Sequence, residues 1–135
     1  MYEQRVMIRE TQIDIFGHMN NSRYLEVLED VRWNMVEEKG FGLAKILSSK
    51  TGPIVLGMEI KYLKELKARE WVKVTVELLP NEKGPEAKIQ KLKQQMIKDN
   101  GEIACEATFA IGFFDMVARK LLPPSPEWKF ALGLV

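Results

Sequence analysis

The sequence holds one cysteine and one histidine in 135 residues, and these two scarcities remove several kinds of chemistry at once. Cys105 alone cannot close an internal disulfide or build a multi-thiolate metal site, so a reducing compartment is expected, with the cytoplasm as its default. His18 has no second imidazole with which to form a metal pair, and no metal site is expected. Charge of one sign is missing as well. Twenty basic and 19 acidic residues leave a net charge of +1, which argues against a nucleic-acid backbone or an anionic membrane as the main partner. The most apolar stretch, Ile103 to Ala118, is broken by Glu106 and Asp115 and is too short to span a bilayer. The opening MYEQRVMIRE carries charges where a signal peptide needs its apolar stretch, so no targeting segment is expected.

Other absences narrow the chemistry further. Ser22, Ser48, Ser49 and Ser125 lie outside any G-x-S-x-G turn, which disfavours a serine-hydrolase triad. There is no Gly-rich phosphate loop or nucleotide fingerprint, and no cofactor is expected. No repeat, Ser/Gly linker or low-complexity tract divides the chain, so residues 1–135 are read as a single domain.

What is present is a change of apolar period along the chain. From Ser22 to Lys39, Tyr24, Val27, Leu28, Val31, Met35 and Val36 recur at steps of three and four, with charged residues between them. That spacing predicts an amphipathic helix of about five turns. Asn21 or Ser22 can cap its start, and Gly40 and Gly42 follow its end. Beyond it the period becomes two. Ile54, Leu56, Met58, Ile60 and Tyr62 form one strand face, Val72, Val74, Val76 and Leu78 a second, and Ile103, Cys105, Ala107, Phe109, Ile111 and Phe113 a third. Between them Ala87 to Lys98 alternates less cleanly, since Ile89 and Leu92 are out of phase, and a bulge is expected near Lys91. A first strand is expected at about Tyr2 to Arg9, and loops near residues 40–53, 80–86 and 119–127. One antiparallel sheet with one long helix buried against it, an α+β domain, covers these apolar surfaces most simply.

The chemistry concentrates just before the helix. Asp14, His18, Asn20 and Asn21 fall within eight residues of one another, immediately upstream of the first turn. Backbone N–H groups at a helix start lack internal partners and can receive an oxygen that gains negative charge during acyl transfer. A carboxylate and an oxyanion-binding N–H are therefore available together.

The run Asp14-Ile15-Phe16-Gly17-His18-Met19-Asn20-Asn21 with Tyr24 is close to D-x-x-G-H-x-N-N-x-x-Y. On these residues the sequence resembles the 4-hydroxybenzoyl-CoA thioesterase family of hotdog-fold acyl-CoA thioesterases. Met58 to Leu63 and Trp71 to Val74 resemble that family's second and third strands, so the likeness reaches to about Phe114. The resemblance implies a hotdog fold with the sheet wrapped around the long helix. It further implies that Asp14 is the catalytic carboxylate and that the Asn21 N–H polarises the thioester carbonyl. His18, Asn20 and Tyr24 would shape the pocket, with Phe16, Met19, Leu28 and Met58 setting its depth. The expected substrate is an acyl-CoA, and the expected assembly a homodimer or homotetramer. Some relatives that act on carrier-protein thioesters have an Asn two residues after the Asp, where this chain has Phe16.

Each residue has a plainer reading too. Asp14 could simply bond nearby amides, His18 could fix the loop, and the Asn20 and Asn21 side chains suit turns and caps. Cys105 lies on the apolar phase of its strand and reads as core. Lys61, Lys64, Lys67, Arg69 and Lys73 form one basic stretch able to receive CoA phosphates, and Lys83, Lys88, Lys91, Lys93 and Lys98 another. Asp14 could activate a water or attack the carbonyl itself. A hydratase on the same fold would use a D-x-N-P-x-H arrangement, and this chain has no such Asn-Pro pair. An acyl-CoA binding module without turnover is the remaining alternative. The tail from Pro123 to Val135 either closes the pocket or covers a sheet edge.

Overall fold

The computed structural model describes residues 1–134. Its elements are β1 (Tyr2–Met7), a 3-10 turn (Glu10–Gln12), α1 (Asn21–Glu38), α2 (Leu43–Ser49), β2 (Thr51–Tyr62), β3 (Trp71–Leu78), β4 (Ile89–Lys98), β5 (Ile103–Asp115), β6 (Lys120–Leu122) and α3 (Pro126–Leu132). The strands form an antiparallel sheet in the order β1-β3-β4-β5-β2, with β6 added on β5. In β1 and β3, Tyr2 faces Val76 and Met7 faces Trp71. The architecture is α+β, as the change of period predicts.

The long helix α1 owes its placement to its apolar stripe. Tyr24, Val27, Leu28, Val31, Met35 and Val36 are all buried, and Glu26, Glu29, Asp30, Glu37 and Glu38 on the other face are not. Its limits differ by one residue from those expected. The start is capped by Asn20, not by Asn21 or Ser22: its Oδ1 accepts the Ser22 N–H at 3.0 Å and the Ser22 hydroxyl at 2.8 Å. At the other end Gly40 takes φ +88° and Phe41 N–H donates back to the Val36 carbonyl at 2.8 Å. That six-to-one closure needs a left-handed residue, which glycine supplies without strain.

Contacts gather the chain into two compact units, and α1, β2, β3, β4 and β5 each contribute a part to both. The first unit comprises Met1–Arg32, Glu59–Glu77 and Lys93–Ala107. Ile8, Leu28, Val31, Leu66, Val72, Val74, Met96 and Cys105 are fully buried in it or nearly so. Gln94 is buried there too: its amide donates to the Leu28 carbonyl at 3.1 Å and its Oε1 accepts from Arg32 at 2.9 Å. The second unit comprises Trp33–Met58, Leu78–Leu92 and the chain from Thr108 onward. Its core centres on Phe41, Phe113 and Trp128. The Trp128 ring stacks on Phe113 at 5.8 Å and meets Phe41 edge-on at 5.1 Å.

Several expectations are corrected. The region 40–53, read as a loop, contains α2 and the start of β2. Helix α2 turns Leu43 and Leu47 outward, 63% and 65% exposed, so the apolar pattern that normally reveals a core-packed helix is reversed. Burial in β4 alternates without a break through Gln90, Leu92, Gln94 and Met96, and there is no shift of phase at Lys91. Ile89 points outward, and two glutamines occupy inward positions. The face expected to be covered on β2 is covered only in part: Ile54 and Ile60 are half-buried, while Leu56, Met58 and Tyr62 are 46–49% exposed. The region 119–127 holds β6 and the start of α3. The tail supplies Trp128, Ala131 and Leu132 to the second unit's core. Val135 lies outside the described residues.

Candidate active site

The loop from Ile13 to Asn21 is a small hairpin with hydrogen bonds at each level. Ile13 and Met19 pair as an isolated antiparallel bridge, and Asp14 N–H donates to the His18 carbonyl at 2.9 Å. The turn closes with Gly17 N–H on the Asp14 carbonyl at 3.1 Å, Gly17 taking φ +81°. The Asp14 side chain completes it, Oδ1 accepting the Phe16 N–H at 2.8 Å. Ile15 and Phe16 stand out at the tip, 94% and 75% exposed. Outside the turn, Met19 N–H donates to the Leu66 carbonyl at 2.7 Å and Asn20 N–H to the Gln12 carbonyl at 2.8 Å. The loop is thus tied both to the segment after β2 and to the 3-10 turn.

A cavity of about 400 Å³ opens beside this loop, entirely within the first unit. Asp14, His18, Met19, Asn21 and Tyr24 form one wall, and Tyr62, Leu63, Lys64 and Glu65 the other. Asn21 is the first residue of α1, and its N–H has no acceptor among the described residues. The cavity is therefore lined by both Asp14 and Asn21, which lie seven residues apart in the sequence. Tyr24 is buried, and that burial pushes its phenol up to about 12, with the neighbouring Cys105, Tyr62, Glu65 and Glu70 adding to the shift. It stays a neutral hydroxyl in ordinary buffers. Burial raises Tyr62 also. His18 Nε2 lies 3.0 Å from Glu65 Oε2.

Four residues expected at the pocket do not line it: Phe16 stands out at the loop tip, Leu28 is fully buried in the core, and Asn20 and Met58 lie elsewhere. Asn20 does not line the cavity; its side chain is occupied at the helix cap. Met58 belongs to the second unit and is 49% exposed. The far wall, Tyr62 to Glu65, contains what sequence reasoning missed. Tyr62 donates its hydroxyl to the Asn21 carbonyl at 3.0 Å and packs edge-on against Tyr24 at 4.9 Å. It reads in sequence as one more member of an alternating strand. Lys64 is the member of the first basic stretch that lines the cavity, and it pairs with Glu102 at 3.3 Å.

Asp14 and Asn21, the first residue of α1, thus line the same cavity. The profile of the thioesterase-like superfamily matches residues 8–132, and the chain belongs to that superfamily, whose reaction class is thioester hydrolysis. Among curated proteins it is similar to the long-chain acyl-CoA thioesterase FadM of Escherichia coli, 22% identical over 129 residues that cover 94% of this chain and 93% of FadM. Solved structures share the hotdog fold. A Staphylococcus aureus protein determined in complex with CoA aligns with a TM-score of 0.87 at 17% identity, over 97% of this chain and 80% of that one. A probable thioesterase from Escherichia coli aligns at 0.82 and 22% identity, over 98% and 96%. The 1,4-dihydroxy-2-naphthoyl-CoA thioesterase of Synechocystis aligns at 0.85 and 11% identity, over 98% and 95%. No helix among the described residues is long and apolar enough to cross a membrane.

Proposed function

We propose that this chain hydrolyses acyl-CoA thioesters to the free acid and CoA, with Asp14 as the carboxylate of the reaction and the Asn21 N–H as an oxyanion donor. The observation that carries this reading is that the residues Asp14 and Asn21 both line one cavity at the start of α1. Its substrate class is supported by the similarity to FadM and by the structural neighbour that holds CoA.

Two routes use the same groups. In the first, Asp14 takes a proton from water as the oxygen bonds to the carbonyl carbon, and collapse of the tetrahedral intermediate expels the CoA thiolate. In the second, an Asp14 oxygen attacks, the C–S bond breaks to give a mixed anhydride, and water then hydrolyses it. In both, negative charge builds on the carbonyl oxygen, where an N–H at the positive end of a helix stabilises it. His18 and Tyr24 line the cavity, and the neutral Tyr24 hydroxyl can donate a hydrogen bond within it. Asn20 contributes through the cap, by fixing the peptide that carries the Asn21 N–H. Lys64 at the rim is suited to a CoA phosphate.

A homo-oligomer belongs to the same reading. Strand β2 ends the strand order and leaves Val55, Leu56, Met58 and Tyr62 about half exposed, which a second copy would cover. In such an assembly Met58 would meet substrate through the partner. Sedimentation at micromolar concentration is expected to give a dimer or larger; a monomer would remove this part of the proposal.

The test is incubation with short, long and aromatic acyl-CoAs in the presence of a thiol-detecting reagent. Release of free CoA from at least one is expected. Tight binding with no thiol release across the panel would favour a binding module instead. Cys105 is fully buried, so the native protein adds no background to the assay.

A further inference from the structure

We propose that Glu65 is a positioning residue of this site, holding the His18 imidazole through its Nε2–H. This rests on the cavity serving as the catalytic site, and nothing in the sequence motif points to it, because Glu65 lies far along the chain in the segment after β2. His18 Nε2 and Glu65 Oε2 are 3.0 Å apart, and both residues line the cavity with Asp14 and Asn21.

An exposed pair of this kind normally contributes little, since two side chains must be ordered in water to form it. Here the ordering is done by the backbone. The next residue on each side is joined by the Met19 N–H bond to the Leu66 carbonyl at 2.7 Å, and Leu66 is completely buried. Leu63 and Lys64 both donate their N–H groups to the Ala104 carbonyl, at 2.8 and 3.1 Å. The Glu65 carbonyl accepts from Lys98 Nζ at 3.3 Å, and that ammonium is itself held by Glu70 at 3.2 Å. Glu65 is thus presented to His18 by fixed main chain on both sides.

The consequence is chemical. A neutral imidazole that donates its Nε2–H to a carboxylate keeps Nδ1 as an acceptor and loses freedom to rotate. That arrangement, in which a third group orients a ring that faces substrate, is how hydrolytic sites fix the working tautomer. Glu65 acts through His18 and need not touch the thioester.

A double-mutant cycle tests this, read on kcat, KM and melting temperature in the full chain. Glu65→Ala is expected to lower kcat about tenfold, with KM within a factor of about two and melting unchanged. Glu65→Gln keeps an acceptor for Nε2–H and is expected to restore most of that loss. In a His18→Ala background, Glu65→Ala is expected to have no further effect. An equal loss in both backgrounds, or no loss in either, overturns the proposal. Because the chain has one histidine, its ring nitrogens can also be followed by 15N NMR without turnover. Glu65→Ala should perturb Nε2 more than Nδ1, and Glu65→Gln should reverse that. An undisturbed Nε2 signal would refute the pairing even if no acyl-CoA proved to be a substrate, which separates this failure from failure of the thioesterase reading.

Discussion

The carboxylate of Asp14 accepts the backbone N–H of Phe16, two residues further along, at 2.8 Å. One oxygen therefore braces the turn while the side chain lines the cavity that Asn21 also lines. A substitution at Asp14 can remove the chemistry, the turn, or both. Asp14→Asn keeps an oxygen for the Phe16 N–H but neither a base nor a nucleophilic carboxylate. We expect it to lower kcat by about 10²-fold or more while melting stays close to that of the parent. Asp14→Ala loses the brace as well and should melt lower than Asp14→Asn. Near-normal turnover in Asp14→Asn would remove Asp14 from the mechanism.

The Asn20 cap links stability to the same site. Its Oδ1 satisfies the Ser22 N–H and accepts the Ser22 hydroxyl, and the peptide that follows carries the Asn21 N–H. Asn20→Ala should cost about 1 kcal/mol, or roughly 3–5 °C in melting temperature for a chain of this size. Asn20→Asp, which keeps the acceptor, should lose little. Calorimetry on the two variants checks the order, and equal melting of both would show that the cap contributes nothing.

How much of this was legible in the sequence depended on whether burial followed hydrophobicity. In α1 it did: the residues on the apolar stripe are the ones the core covers. In β4 it did not, because Gln90 and Gln94 take inward positions and are paid for by hydrogen bonds to Gly84, Ala87 and Leu28 carbonyls. Periodicity cannot register a glutamine as core, so the alternation that burial follows unbroken through β4 reads in the sequence as a shift of phase. Helix α2 escaped because its leucines face outward. The near wall of the cavity was legible because Asp14, His18, Asn21 and Tyr24 share one short segment. The far wall was not, since Tyr62 and Glu65 reach the site through contacts with Asn21 and His18 that span more than forty residues.

Two buried protons make the fold sensitive to alkali. Burial pushes the Cys105 thiol from about 9 up to about 12, with Glu106 adding to the shift, and the Tyr24 phenol from 10 up to about 12. The unfolded chain loses these protons near 9 and 10, while the folded chain keeps them to about 12. Over that interval the unfolded state holds fewer protons, so stability falls as pH rises through it. The urea midpoint should be flat around neutrality and drop between about pH 9 and about pH 12. Cys105→Ala should lessen the drop. A midpoint unchanged across that range would mean that neither proton is retained by folding.

The last prediction concerns the tail, for which the sequence allowed a lid or an edge cover. Helix α3 begins with Ser125, whose hydroxyl accepts the Trp128 N–H at 3.2 Å, followed by Pro126 in the first turn. It ends at Gly133 in the left-handed region, φ +86°. These caps fix a short helix whose inward residue, Trp128, is 2% exposed between Phe41 and Phe113. Seven residues of helix are too few to persist alone in water, so the ring's burial must hold the segment in place. Removing it leaves a cavity beside two aromatic rings, and Trp128→Ala should cost about 3–5 kcal/mol. Trp128→Phe retains a ring against Phe113 and should cost less. If the tail were a mobile lid, neither variant would shift the urea midpoint; a large shift for Ala and a smaller one for Phe is what a core residue requires.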